Sequence, residues 1–317
     1  MKRIKIIKNR SDIGAGTRGA DLGVDALEVA AINSQHDYFN DYEYVDVDTH
    51  NESIYNKVKE SFAKRIGHVY EQCQRVRLVV ERTILEDYFP IVLSGDHSSA
   101  LGTISGVKSA YPEKRLGVVW IDAHADLHSP YTSPSGNIHG MPLGCAIHDD
   151  NLECRVNNVT DGTRSYWEKM QNIGVDAAKV DGRDIVMFGV RDTEEPEKHQ
   201  MRKYDIKNYM VAEVRHRGLD VCVKEAIDKL KDCDHIYISF DVDSLDCDLI
   251  SYGTGTPAPK GFDEEEARDI IKGIIDSGKV SCIEFVEINP LLDNKGNRMA
   301  ETAFRVLDEI TKEILSL

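Results

Sequence analysis

Three stretches of the chain end an apolar run in acids and imidazoles, and in two of them these are set two residues apart. In "WIDAHADLHSP" (120–130) these are Asp122, His124 and Asp126. In "ISFDVDSLD" (238–246) they are Asp241 and Asp243, and in "VLSGDHSS" (92–99) His97 follows Asp96. Alternate side chains of an extended backbone share a face, so each group would point one way. Four carboxylates gathered with two imidazoles would repel and raise one another's pKa unless a cation sat among them. Two divalent ions carry four positive charges, and six side chains suit two ions if some carboxylates bridge. Metal ions roughly 3.5–4 Å apart activate water for hydrolysis. An oxygen-rich set with two imidazoles suits manganese better than a thiolate-rich zinc site would. Each stretch alone also reads as a turn, a solvated loop or a helix N-cap. That plainer explanation would have to hold three times over.

The elements that must carry these residues are short apolar runs: Ile91–Leu93, Leu116–Ile121, the run in "DIVMFGVRDTEE" (184–195), Ile236–Phe240 and Ile283–Val286. Four to six β-branched and aromatic residues in a row are typical of strands buried on both faces, as in a parallel sheet. Longer amphipathic stretches at 51–85, 220–233, 263–278 and 301–317 are predicted helices. Strands alternating with helices give an α/β fold, a parallel central sheet with helices on both faces. Ligands of such sheets bind beyond the C-terminal strand ends, where every one of these polar motifs falls. No repeat, low-complexity tract or Pro/Ser-rich linker divides residues 1–317, so one domain is expected.

Composition narrows the partners. The chain has 317 residues, 41% of them hydrophobic, which is ample for a core. Its 39 basic and 55 acidic residues give a formal charge of −16, which disfavours nucleic acid and anionic membranes and is compatible with a cationic small-molecule substrate. "MKRIKIIKNRSD" at the start has no apolar core of a signal peptide, and no stretch approaches the ~18 apolar residues of a membrane span. Seven scattered cysteines with no CxxC pair argue for reduced thiols and a cytoplasmic protein. "YGTGTPAPKG" (252–261) lacks the lysine–Ser/Thr ending of a phosphate loop and reads as a tight active-site loop. Ser135, Gly136, Asn137 and His139 are turn formers or polar groups on a substrate-binding loop.

Together, "GAGTRGADLG" (14–23), "SGDHSSALGTISG", "DAHADLHSPYTSPSGNIHGMPLG", "FGVRD", "SFDVDSLD", "GTGTPAP" and "EINP" resemble the ureohydrolases, arginases most closely. The resemblance spans nearly the whole chain, and "TSPSGNIHGMP" separates it from agmatinases. It implies a three-layer αβα fold and two Mn2+ per subunit, with L-arginine hydrolysed to L-ornithine and urea by a metal-bridging hydroxide. By motif, His97 and Asp126 would bind one ion, His124 and Asp243 the other, and Asp122 and Asp241 both. Glu287 would hold the guanidinium, Asp126 would pass a proton to the leaving amine, and His139 would shuttle protons. Ser135 and Asn137 would bind the α-carboxylate, Glu194 would face the α-amino group, and Thr256 joins the substrate contacts. The resemblance also implies a homo-oligomer, a trimer or hexamer. The chain departs from it at His128, where arginases carry an asparagine that contacts the α-carboxylate. Glu194 stands for an aspartate, Cys247 for a proline, and Ser251 near another proline in a loop one residue longer. The expectation at His128 is an imidazole donor to the α-carboxylate. The competing readings are another guanidino hydrolase, such as an agmatinase, and an inert metal-binding paralogue.

Overall fold

A computed structural model describes residues 2–317. Eight strands form one sheet: β1 (Arg3–Asn9), β2 (Glu43–Asp46), β3 (Tyr88–Ser94), β4 (Leu116–Ile121), β5 (Ile185–Phe188), β6 (Lys207–Tyr209), β7 (His235–Asp241) and β8 (Val280–Val286). Their spatial order is β2-β1-β3-β8-β7-β4-β5-β6, and every pairing is parallel. The helices are α1 (Gly23–Asn33), α2 (Tyr38–Asp41), α3 (Ile66–Leu85), α4 (Ala100–Ala110), α5 (Pro142–Ala146), α6 (Asp161–Gln171), α7 (Glu195–Lys203), α8 (Val211–Arg217), α9 (Leu219–Lys229), α10 (Glu264–Ile275) and α11 (Arg298–Ser316).

The alternation of side chains along each strand divides the core into two layers. Val119, Ile121, Ile236, Ile238 and Phe240 face one side and pack with residues of α1, α9, α10 and α11. Val118, Trp120 and Tyr237 face the other and pack with α3, α4 and α6. The result is the three-layer α/β architecture expected from the sequence. The predicted helix at 263–278 shows why the local chemistry works. Asp263 accepts from the Glu266 N–H at 2.8 Å while Glu266 accepts from the Asp263 N–H at 2.9 Å, a reciprocal cap that starts α10.

Two sequence expectations need correction. The predicted helix at 51–85 begins only at Ile66, where Ile66, Val69, Cys73, Val76 and Val80 bury one face. Asn51–Tyr55 form a single 3-10 turn, and 56–65 run irregularly into Arg65, whose φ of 57° precedes the helix. Ile54, Val58, Phe62 and Ile66 keep the four-residue spacing that suggested a helix, but Val58 is exposed and Ile54 and Phe62 are only half-buried, so tertiary packing does not support the helix before Ile66. Strands β1, β2 and β6 were not anticipated: β1 is interleaved with lysines, β2 is mostly exposed, and β6 has three residues. β2 and β6 are the two edges of the sheet, and edge strands are often short or charged, which blocks further pairing. The seven cysteines are free and six are buried. Among the described residues no helix is long and apolar enough to cross a membrane.

Candidate metal centre

The C-terminal ends of β3, β4, β7 and β8 lie side by side, because the chain leaves β3 to build β4 and returns later to insert β7 and β8 between them. Their following loops therefore meet over one crevice. β4 stops at Ile121, so Asp122, His124 and Asp126 do not share one extended face as expected. Instead the chain turns, and Asp126 adopts φ 51°, with its carbonyl accepting from the N–H groups of Leu143 and Gly144 at the start of α5. The three polar residues still converge, through the turn rather than the strand.

Two groups form around a common acid. His97 Nδ1 lies 3.1 Å from carboxylate oxygens of Asp122, Asp126 and Asp241. His124 Nδ1 lies 2.9 Å from Asp243 Oδ2 and 3.5 Å from Asp122 Oδ1. Asp122 thus turns one oxygen to each group. Except for His124, all six residues are buried. His97 Nδ1 and Asp122 Oδ2, both deeply buried, make no acceptable hydrogen bond despite their proximity. Orphaned donors and acceptors of this kind are costly unless a ligand completes them.

The electrostatics point the same way. Burial drives the carboxyls of Asp126, Asp241 and Asp243 above their ordinary range, and neighbouring carboxylates add to it. Burial also works against the Asp122 anion, but the His124 and His97 imidazoles hold it below that range. Burial opposes charge on His97, yet Asp122, Asp126 and Asp241 keep its pKa well above normal. Without cations the cluster can keep its acids together only by retaining protons on imidazoles and carboxyls. Divalent cations would replace those protons with charge of the right sign. The residues present fit such ions.

Neighbouring groups fix the candidate ligands. His97 Nε2 is 2.7 Å from Ser239 Oγ, and its ring stacks on Trp120 with centroids 4.1 Å apart and planes 2° from parallel. Asp243 accepts from the Ala123 N–H at 3.1 Å and from Thr256 Oγ1 at 3.0 Å. Arg191 donates to the carbonyls of Gly189, Asp243, Ala258 and Pro259, tying the segment just after Thr256 to the candidate metal ligand Asp243. Ser239 and Trp120 were missed in the sequence, whereas Arg191 stands in the "FGVRD" motif without an assigned role. Ser239 and Trp120 each stand two residues before a metal-site aspartate, so the same spacing could have found them.

Glu287 follows β8 at φ 64° and is buried. Its Oε1 accepts from the His97 N–H and from His139 Nδ1, each at 3.0 Å. Burial lowers the His139 pKa on its own, but Glu287 brings it up to about 9. A cleft of about 250 Å³ runs above, lined by all the candidate ligands but Asp122 together with His128, Ser135, Asn137, His139, Glu194 and Thr256. Every expected substrate contact except Glu287 thus borders one space, with Glu287 bonded to His139 on its wall. His128 has both ring nitrogens engaged, Nδ1 with Thr132 Oγ1 and Nε2 with Glu194 Oε2, each at 3.0 Å. That pairing holds the Glu194 carboxyl down to about 2.

The arginase family model matches residues 2–312. The chain belongs to the arginase family. Among similar relatives is the arginase of Bacillus subtilis (strain 168), 32% identical over 314 residues that cover 98% of this chain and 97% of the relative. Of solved structures, the arginase from Bacillus caldovelox superposes with a TM-score of 0.82 at 32% identity, covering 97% of each chain. The Entamoeba histolytica arginase in complex with L-ornithine gives 0.81 at 26% identity over the full length of both. Membership carries the reaction class, hydrolysis of the arginase type, and the two His/Asp groups above are where this family member could hold its metal.

Proposed function

We propose that the protein is a manganese-dependent arginase that hydrolyses L-arginine to L-ornithine and urea. The observation that carries this reading is Asp122 set between two His/Asp groups, with the Glu287 carboxylate anchored to His97 and His139 beside them. Two Mn2+ would be held by His97 and Asp126, by His124 and Asp243, and by Asp122 and Asp241 in common. Four carboxylates, two imidazoles and no thiolate favour manganese. When bound, the metal pair supplies Lewis acidity and a water made acidic enough to attack near neutral pH.

The chain's own groups do the rest. Glu287 Oε2 makes no hydrogen bond among the described residues, so it can accept from a substrate guanidinium while Oε1 stays fixed. Asp126 carries a proton to the leaving amine, and His139 exchanges protons at the cleft wall. Ser135 and Asn137 contact the α-carboxylate, Glu194 takes the α-amino group, and Thr256, bonded to Asp243, joins the substrate contacts. His128 acts on that end through Glu194, since the direct α-carboxylate contact competes with both of its present partners.

The test is urea release by purified protein of measured metal content, with L-arginine and agmatine compared. Chelation should abolish the L-arginine reaction, and manganese should restore it better than zinc. Full activity after metal removal, or preference for agmatine, would refute the proposal.

A further inference from the structure

The walls of the cleft carry six carboxylates and no lysine or arginine. A ligand carboxylate entering such a place needs oriented donors and positive potential from somewhere. The donors that could serve are Ser135 and Asn137. Ser135 Oγ accepts from the Asn137 N–H at 3.2 Å, which leaves its hydroxyl proton to donate elsewhere. Asn137 presents an amide, and an amide has two ends. A carboxylate is helped by the NH2 end and repelled by the oxygen.

Lys64 fixes the oxygen end of that amide. Its Nζ donates to Asn137 Oδ1 at 3.0 Å, and an ammonium can only donate. Flipping the amide would set NH2 against NH3+. On the opposite side Nδ2 lies so near Gly16 that a Cβ there would come within 2.5 Å of it. The amide is thus held between a cation and a bare glycine. The irregular segment before α3, unused by the proposed mechanism, is what delivers Lys64. Its backbone N–H donates to the Gly136 carbonyl at 2.7 Å. Gly136 has φ 71°, and a Cβ there would fall 2.0 Å from the Ser61 carbonyl oxygen, so segment and loop meet backbone to backbone.

We propose that Lys64 is a positioning and specificity residue: it locks the Asn137 amide with its NH2 toward the cleft and adds the positive charge that selects carboxylate-bearing ligands over their decarboxylated analogues. This rests on the arginase reading above and deepens it.

The holoenzyme should be compared with Lys64→Gln, Lys64→Arg, Asn137→Ala and the Lys64→Gln/Asn137→Ala double variant. Binding of L-ornithine and of putrescine is measured by titration calorimetry, and KM and kcat are measured on L-arginine. Lys64→Gln should weaken L-ornithine and raise the KM for L-arginine by about tenfold, the scale of one charged hydrogen bond. Putrescine affinity and kcat should each stay within about twofold, and Lys64→Arg, another donor-only cation, should recover most of the loss. In the Asn137→Ala background, Lys64→Gln should add less than about twofold, because its route to the ligand is gone. Equal weakening of L-ornithine and putrescine, or an undiminished effect without Asn137, would overturn the assignment. A parent enzyme that prefers L-ornithine while Lys64→Gln changes nothing would overturn Lys64 alone. A parent with no preference for the carboxylate would overturn the arginase reading and this inference with it.

Discussion

Glu287→Gln isolates charge from shape. In the parent, Oε1 receives two hydrogen bonds, from the His97 N–H and His139 Nδ1, while Oε2 is free. Glutamine has one oxygen, and two established donors demand it on the Oε1 side. Its NH2 must then occupy the Oε2 position and meet a guanidinium, which is itself only a donor. The variant loses a charge-assisted bond, about 1.5–3 kcal/mol, and leaves opposed donors desolvated, about 1–3 kcal/mol more. Together these predict a fall in kcat/KM for L-arginine of roughly 10²- to 10⁴-fold. Urea release should be measured alongside manganese content by elemental analysis. Glu287 is none of the six proposed ligands, so metal content should be unchanged. A loss smaller than tenfold with both metals retained would refute the donor–donor argument. Loss of manganese would refute the placement of Glu287 beside the metals rather than on them.

Asp122→Ala should release more manganese than His97→Ala, since Asp122 turns an oxygen to each group, and chelation should lower the parent's melting temperature; equal metal loss in the two variants would count against sharing. His128→Ala should raise the KM for L-arginine up to about tenfold with little change in kcat, by freeing Glu194 from its only imidazole partner; an unchanged KM would remove His128 from substrate recognition. Far from the site, burial pushes the Lys179 ammonium down to about 8 from its ordinary 10.5. Between these values the unfolded chain holds a proton that the fold has released, so stability should rise with pH there, by up to about 3 kcal/mol. Denaturant titrations of Lys179→Met should lack that rise, and a parallel pH profile in both proteins would refute the assignment.

What could be read in advance depended on whether a residue's partner was near in sequence. Asp122, His124, Asp126, Asp241 and Asp243 announced themselves because two-residue spacing after an apolar run is a local signal. The central strands β3, β4, β5, β7 and β8 were legible for the same reason, as runs buried on both faces. β1 and β2 were not, since lysines interrupt the apolar run of β1 and β2 is a short, mostly exposed edge strand. Arg65 starts α3 in a left-handed conformation that no pattern of apolar residues marks. The pairing of Lys64 with Asn137 spans 73 positions and involves two common surface residue types, so only the fold could reveal it. His128 was visible as a departure from the family, but its bond to Glu194 was not.

Asp126 and Glu287 share a property that reaches beyond catalysis. Both are non-glycine residues at positive φ, 51° and 64°, where a side chain costs about 1–2 kcal/mol. Their neighbours hold them there: Leu143 and Gly144 bond the Asp126 carbonyl, and the Glu287 N–H bonds the Gly95 carbonyl. Glycine would relax both turns and erase both acids. Selection for thermostability alone would therefore find some of its easiest gains at the two positions the chemistry can least lose. A lineage relieved of its enzymatic duty would drift there first, and a design procedure that scores only the fold would recommend the same changes.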